Sequence, residues 1–189
     1  MAKLYFRYGC MGSSKTANAL MTKFNYEEKG KKVLLLKPSI DTRDGKTIIK
    51  SRIGLEAEAI CFDKNTKIYS DIIVEYNPLP DCVVVDECQF CTKEQIEDLK
   101  YIAEILDIPV FCYGLRTDFQ TKLFEGSKRL FEIADSISEI KSICSCGKKA
   151  IVNARINNGK VVYEGNQIEI GGNEKYMGLC YKCWRSGMN

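Results

Sequence analysis

The sequence predicts an α/β protein: a mostly parallel sheet with helices on both faces, followed by a small C-terminal β lobe. Three observations carry this. Strand-like and helix-like stretches alternate from the start to about residue 141, as a parallel sheet with crossover helices requires. The first strand runs into a Gly-rich loop and then a helix, the arrangement that cradles a polyphosphate. Composition then changes at Ile143, and two cysteine pairs bracket the C-terminal stretch. The expected division is a P-loop nucleotide-binding domain of RecA-like type over residues 1–141 and a zinc-ribbon lobe over residues 142–189.

In chain order, residues 3–8 read as a short strand. Gly9-Cys10-Met11-Gly12-Ser13-Ser14-Lys15-Thr16 comes next, and Ala17, Leu20, Met21 and Phe24 then recur as one apolar helical stripe. Gly30 suits the residue just past that helix. Residues 32–37 are near-continuously apolar and stop at Pro38, as in a strand buried on both faces. Residues 41–54 are polar and basic and read as a long loop. Residues 57–62 fit a strand, and residues 67–76 fit a helix better than a strand. Residues 82–85 are β-branched and end in Asp86-Glu87. Thr92 and Gln95 form a capping box, ahead of a stripe of Ile96, Leu99, Ala103 and Leu106. A strand over 110–114, a helix over 123–134 and a strand over 136–141 complete the first part. Beyond Ile143 no helix is expected. Residues 150–156 and 160–164 flank Asn157-Asn158-Gly159 as a β-hairpin, and Gly171-Gly172-Asn173 reads as a second turn.

Composition bounds the function classes. At 189 residues there is room for one good core and a small appendage. Net charge is +3 with acids and bases mixed along the chain, which argues against nucleic-acid or membrane partners. The N-terminus has no secretory pattern, and no apolar run spans a bilayer, so a cytoplasmic location is expected. The ten cysteines are then expected to be reduced. Histidine is absent, so chemistry here must use carboxylates, cations and thiols.

The loop from Gly9 through Met11, Gly12, Ser13 and Ser14 offers backbone N–H groups to phosphates. Lys15 neutralises β/γ oxygens, and Thr16 can take a place on Mg²⁺. Asp86 ends a hydrophobic strand, where a P-loop protein keeps the carboxylate that holds Mg²⁺ with that hydroxyl. Glu87 beside it can orient an attacking oxygen, either water or a substrate hydroxyl. Arg43, in the polar loop, can close over phosphates or simply be solvated. Phe119 can stack on a base or belong to the core, and periodicity favours the core. Cys144, Cys146, Cys180 and Cys183 read as a structural Zn²⁺ site, although the first pair has only one intervening residue. Three cysteines with an outside ligand, or no metal, are the other readings of that cluster.

Four of these motifs, with two later ones, resemble the thymidine kinase family whose members are tetrameric and carry zinc. They are the Gly9–Thr16 loop, Asp41-Thr42-Arg43, Asp86-Glu87-Cys88-Gln89-Phe90, Gly114-Leu115-Arg116-Thr117-Asp118-Phe119-Gln120, the cysteine pairs, and Ile170-Gly171-Gly172-Asn173-Glu174-Lys175-Tyr176. They occur in the family's order over almost the full length. The resemblance implies transfer of the γ-phosphoryl of ATP, with Mg²⁺, to the 5′-hydroxyl of thymidine, in a homotetramer with structural Zn²⁺. It makes Glu87 the catalytic base and Arg43 the active-site arginine. It makes Phe119 the aromatic that stacks on thymine, with Met11 and Leu115 lining the same pocket. Gly171, Gly172 and Tyr176 match the late loop that covers the nucleoside. Asn153 stands where the family often has Thr near the thymine methyl. Ser14 replaces the loop glycine, which costs about 1 kcal/mol if the position needs positive φ. Two other classes fit parts of the sequence: a P-loop ATPase with Glu87 positioning water, and a zinc-ribbon nucleic-acid-binding module with a degenerate nucleotide site.

Overall fold

Leu34 and Leu36 point to one face of the sheet and Val33 and Leu35 to the other, and all four are buried. A strand with both faces covered has no solvent side, which explains its unbroken apolar run. The structure is a computed structural model describing residues 1–42, 45, 47–169, 171 and 175–187. In chain order its strands and helices are β1 (Leu4–Tyr8), α1 (Lys15–Glu27), β2 (Val33–Pro38), β3 (Ile48–Lys50), β4 (Glu56–Glu58) and β5 (Ile60–Phe62). A π-helical turn (Ile68–Ile73), β6 (Cys82–Val85), a 3-10 turn (Cys88–Phe90), α2 (Lys93–Ile105), β7 (Val110–Gly114), α3 (Glu125–Ile133) and β8 (Ser136–Glu139) come next. The lobe contributes β9 (Val152–Asn157), β10 (Lys160–Val162), β11 (Tyr176–Leu179) and α4 (Tyr181–Arg185).

Six strands form a parallel sheet in the order β5-β2-β6-β7-β1-β8. On one face Leu4, Phe6, Val83 and Val85 pack against Ile96, Leu99 and Ile102 of α2 and Leu130 of α3. On the other, Val84, Phe111 and Tyr113 pack against Ala19 and Leu20 of α1. The mostly parallel α/β sheet expected from the sequence is therefore present. Its strands all end on one edge, and the loops after β1, β6 and β7 meet there.

Local signals survive well. Thr92 accepts from the Gln95 amide while the Gln95 side chain accepts from the Thr92 amide, completing the capping box. Asn158 and Gly159 take φ of 47° and 75° between β9 and β10, the two positive values a tight hairpin turn demands. Strand β11 adds to the other side of β9.

Other expectations need correction. On α1, Ala17, Ala19 and Leu20 face inward, but Met21 and Phe24 are exposed. The long polar loop contains β3, which pairs antiparallel with β4 and tucks Ile49 against α1. The strand expected over 57–62 divides between β4 and β5, and the helix over 67–76 reduces to the single π-helical turn. The lobe does contain a helix, the five-residue α4, capped by the Cys180 sulfur, which accepts from the Cys183 amide. Among the described residues no helix is long and apolar enough to cross a membrane.

Candidate active site

The Gly-rich loop leaves the end of β1 and enters α1 at Lys15. The Gly9 amide donates to the Gly114 carbonyl at 3.2 Å, anchoring the loop to the end of β7. Gly114 has no room for a side chain: a Cβ there would lie 2.6 Å from Gln89 Oε1 and 2.7 Å from Cys88 Sγ. Ser14 takes φ 61° and ψ 27°, so the position does require the left-handed backbone that glycine adopts freely. Its carbonyl accepts from both the backbone and side-chain nitrogens of Asn18. Lys15 is buried and donates to the Cys10 carbonyl at 2.8 Å. Burial lowers its pKa, while Glu87 and Asp86 pull the other way.

Asp86 and Glu87 lie just past β6, facing this loop. Both are buried. Burial, then the Glu87 charge, raises the Asp86 pKa to about 7 against the hydrogen bond from Thr16. Asp86 Oδ1 is enclosed without a hydrogen-bond partner. An unsatisfied buried carboxylate oxygen beside a threonine hydroxyl is the donor set that a small hard cation such as Mg²⁺ uses. Glu87 adopts φ 53°. Its carboxylate accepts from Gln89 Nε2 at 2.5 Å, and Gln89 Oε1 in turn accepts from the Leu115 amide at 2.9 Å. Sequence reasoning assigned Gln89 no task; the pattern Glu-x-Gln was the only hint.

A cavity opens beyond Glu87. Met11, Leu115, Phe119, Asn153, Gly171 and Tyr176, all expected at one site, line it together with Glu87, Gln89 and Phe124. Asn153 is buried with both ends of its amide engaged: Oδ1 accepts from the Met11 amide at 2.8 Å, and Nδ2 donates to the Thr117 carbonyl at 2.7 Å. Phe119 is buried, with the Arg155 guanidinium 3.8 Å from its ring centre. Arg155 also donates to the Tyr176 hydroxyl at 2.9 Å and to the Asn166 carbonyl at 2.9 Å. Gln167 donates to Asp118 Oδ2 at 2.9 Å. These bonds fix Asn166 and Gln167, and Gln167 joins Ile168 and Glu169 in the cavity wall. Arg155 went unnoticed because an arginine in a hairpin strand ordinarily faces solvent. Arg43 and Gly172 lie outside the described residues, as does most of the expected turn at 171–173.

In the lobe the four sulfurs of Cys144, Cys146, Cys180 and Cys183 lie within 4.8 Å of one another. Cys146 Sγ and Cys180 Sγ are 3.6 Å apart, close to the ~3.8 Å edge of a zinc–thiolate tetrahedron. The short first pair therefore still converges, and the cluster fits Zn²⁺. Burial opposes ionising Cys144, but hydrogen bonds from the backbone amides of Cys146 and Cys180 and from the Cys146 and Cys183 side chains together outweigh it and bring its pKa to about 6. The thiols hydrogen-bond among themselves, as one shared donor set.

A phosphate loop and a buried acidic pair on one edge of a parallel sheet define a P-loop nucleotide-dependent phosphotransfer protein. The pattern of the thymidine kinase family matches residues 2–184. A thymidine kinase of Zymomonas mobilis is 50% identical over 193 aligned residues, covering 100% of this chain and 99% of that protein. Thymidine kinases of Streptococcus pyogenes and Streptococcus agalactiae are 49% and 48% identical, each covering 96% of both chains. The chain belongs to the thymidine kinase family.

Proposed function

We propose that this chain transfers the γ-phosphoryl group of ATP to the 5′-hydroxyl of thymidine, giving dTMP and ADP. The observation that carries the reading is the place of Glu87: it lines the cavity and acts electrostatically on Lys15 of the phosphate loop. One carboxylate thus borders both the donor and the acceptor sides.

In the proposed mechanism, Gly9 to Ser14 and Lys15 hold the triphosphate. Thr16 and Asp86 would hold Mg²⁺, which supplies charge neutralisation on the β- and γ-oxygens. Met11, Leu115, Asn153, Gly171, Gly172 and Tyr176 enclose the nucleoside, and thymine stacks on Phe119. Glu87, oriented by Gln89, aligns the 5′-hydroxyl. The hydroxyl oxygen forms a bond to the γ-phosphorus as the bond to the β,γ-bridging oxygen breaks, and its proton passes late to Glu87. Arg43 stabilises charge on the transferring group. Most of the rate comes from positioning and electrostatics.

Residues 1–141 would act as the nucleotide-binding domain and residues 142–189 as the lobe that covers the nucleoside. A homotetramer belongs to the same proposal: Met21 and Phe24 are apolar surface on α1 that an assembly would cover. Ten free thiols accord with a reducing cytoplasm. The test is ADP production from ATP·Mg²⁺ across a nucleoside panel. Thymidine should stand out. A flat response, or steady ADP release without nucleoside, overturns the proposal.

A further inference from the structure

Arg52 projects from the turn between β3 and β4. If Gly12 carried a Cβ, it would lie 3.5 Å from Arg52 Nη1, the nearest group to that position. The guanidinium therefore rests at the lip of the phosphate loop. Its charge also bears on Lys15, adding to the burial that disfavours the lysine's protonated form. Among the described residues no carboxylate forms an ion pair with Arg52, and the side chain is exposed.

The turn that carries it is held firmly. Ser51 is buried; its amide donates to the Leu55 carbonyl at 2.7 Å, and the Leu55 amide returns a bond to Ser51 Oγ at 3.0 Å. The Gly54 amide donates to the Ser51 carbonyl at 3.1 Å. Ile49, three residues before Arg52, is packed in the same cluster as Ala19 and Leu20 of α1. The hairpin thus rides on the helix that the phosphate loop opens. Two cations at one rim repel each other until a polyanion joins them. A guanidinium fork suits phosphate oxygens.

We propose that Arg52 is a further substrate-contacting residue, closing on the terminal phosphate of the donor from the side opposite the loop's backbone amides. This rests on the kinase reading above and assigns a role to a residue that reading leaves unused. It also separates Arg52 from Arg43, whose assignment comes from sequence resemblance.

The experiment compares binding of ADP·Mg²⁺ and of a non-hydrolysable ATP analogue with Mg²⁺ in wild type, Arg52→Ala and Arg52→Lys. Steady-state kinetics with thymidine and thermal unfolding are measured alongside. Arg52→Ala should weaken the ATP analogue about tenfold and ADP less than about twofold, because only the former carries the contacted phosphate. The KM for thymidine and the unfolding temperature should stay at wild-type values. Arg52→Lys, which keeps the charge, should recover at least about a third of the lost affinity on a logarithmic scale. Equal losses for both nucleotides, no loss for either, or no recovery with lysine would overturn the assignment while wild-type turnover of thymidine leaves the kinase reading intact. A wild-type chain that binds the analogue but phosphorylates no nucleoside overturns the kinase reading, and with it this inference.

Discussion

Ser14 and Glu87 both hold left-handed backbone, at φ 61° and 53°, and the two cases differ in what the strain achieves. At Ser14 the side chain makes no capping hydrogen bond. Ser14→Gly should therefore stabilise the fold by about 1 kcal/mol, read from the urea midpoint at unchanged m-value. A neutral or destabilising result would mean that the serine side chain offsets its backbone. At Glu87 the unusual backbone turns the carboxylate towards Gln89 and the cavity, the kind of strain found at working sites. Glu87→Gln should lower kcat by about a hundredfold or more and leave ATP·Mg²⁺ binding near wild type. Retention of more than about a tenth of the rate would remove Glu87 from the base role. Sequence reasoning found Glu87 because two carboxylates after a buried strand are a dense local signal. It passed over Arg52 and Arg155 because neither sits in a periodic pattern: their partners, Gly12 and Phe119, are distant in sequence.

Among the elements, α2 has the clearest start. Its capping box joins Thr92 and Gln95, and the Gln95 side-chain Nε2 reaches further, donating to the carbonyls of Asp63 and Thr66 at 2.7 and 3.0 Å. Thr92→Ala should cost about 1 kcal/mol in equilibrium unfolding; a change under about 0.3 kcal/mol would show that packing alone fixes this end. Such signals are legible because cap and turn chemistry lies within four residues. The misread elements fail for one reason. Strands β3 and β4 are three residues each and exist through pairing with each other. Helix α4 is too short for periodicity and is held by the cysteine cluster. Helix α1 shows an apolar stripe, but the sheet covers its Ala17–Leu20 side and leaves Phe24 63% exposed. Periodicity gives a stripe without saying which part of it a neighbour will cover.

At the scale of the whole molecule, the lobe and the sheet share the site. Cys10, inside the phosphate loop, packs in the lobe's core with Cys144, Ala150, Val152 and Leu179. Gly178 of β11 leaves only 3.0 Å between a notional Cβ and the Met11 carbonyl. Loss of the metal should therefore reach the donor site. Cys183→Ser should reduce bound zinc, measured by atomic absorption, and weaken ATP-analogue binding as well as thymidine binding. Unchanged affinity for the analogue in a zinc-depleted chain would show that the lobe serves the nucleoside alone.

The Asn153 amide, bonded at one end to Met11 and at the other to Thr117, gives this closeness a thermodynamic form. Met11 belongs to the loop proposed to receive the donor, and Thr117 to the segment that carries Phe119. A clasp joining the two makes ordering of either side favour the other, and such linkage is reciprocal by necessity. Thymidine should tighten ATP-analogue binding, and the analogue should tighten thymidine binding by the same factor. In Asn153→Ala that factor should fall towards one, even where each ligand alone still binds. The two substrates would then meet the enzyme as strangers, with no preference to arrive together.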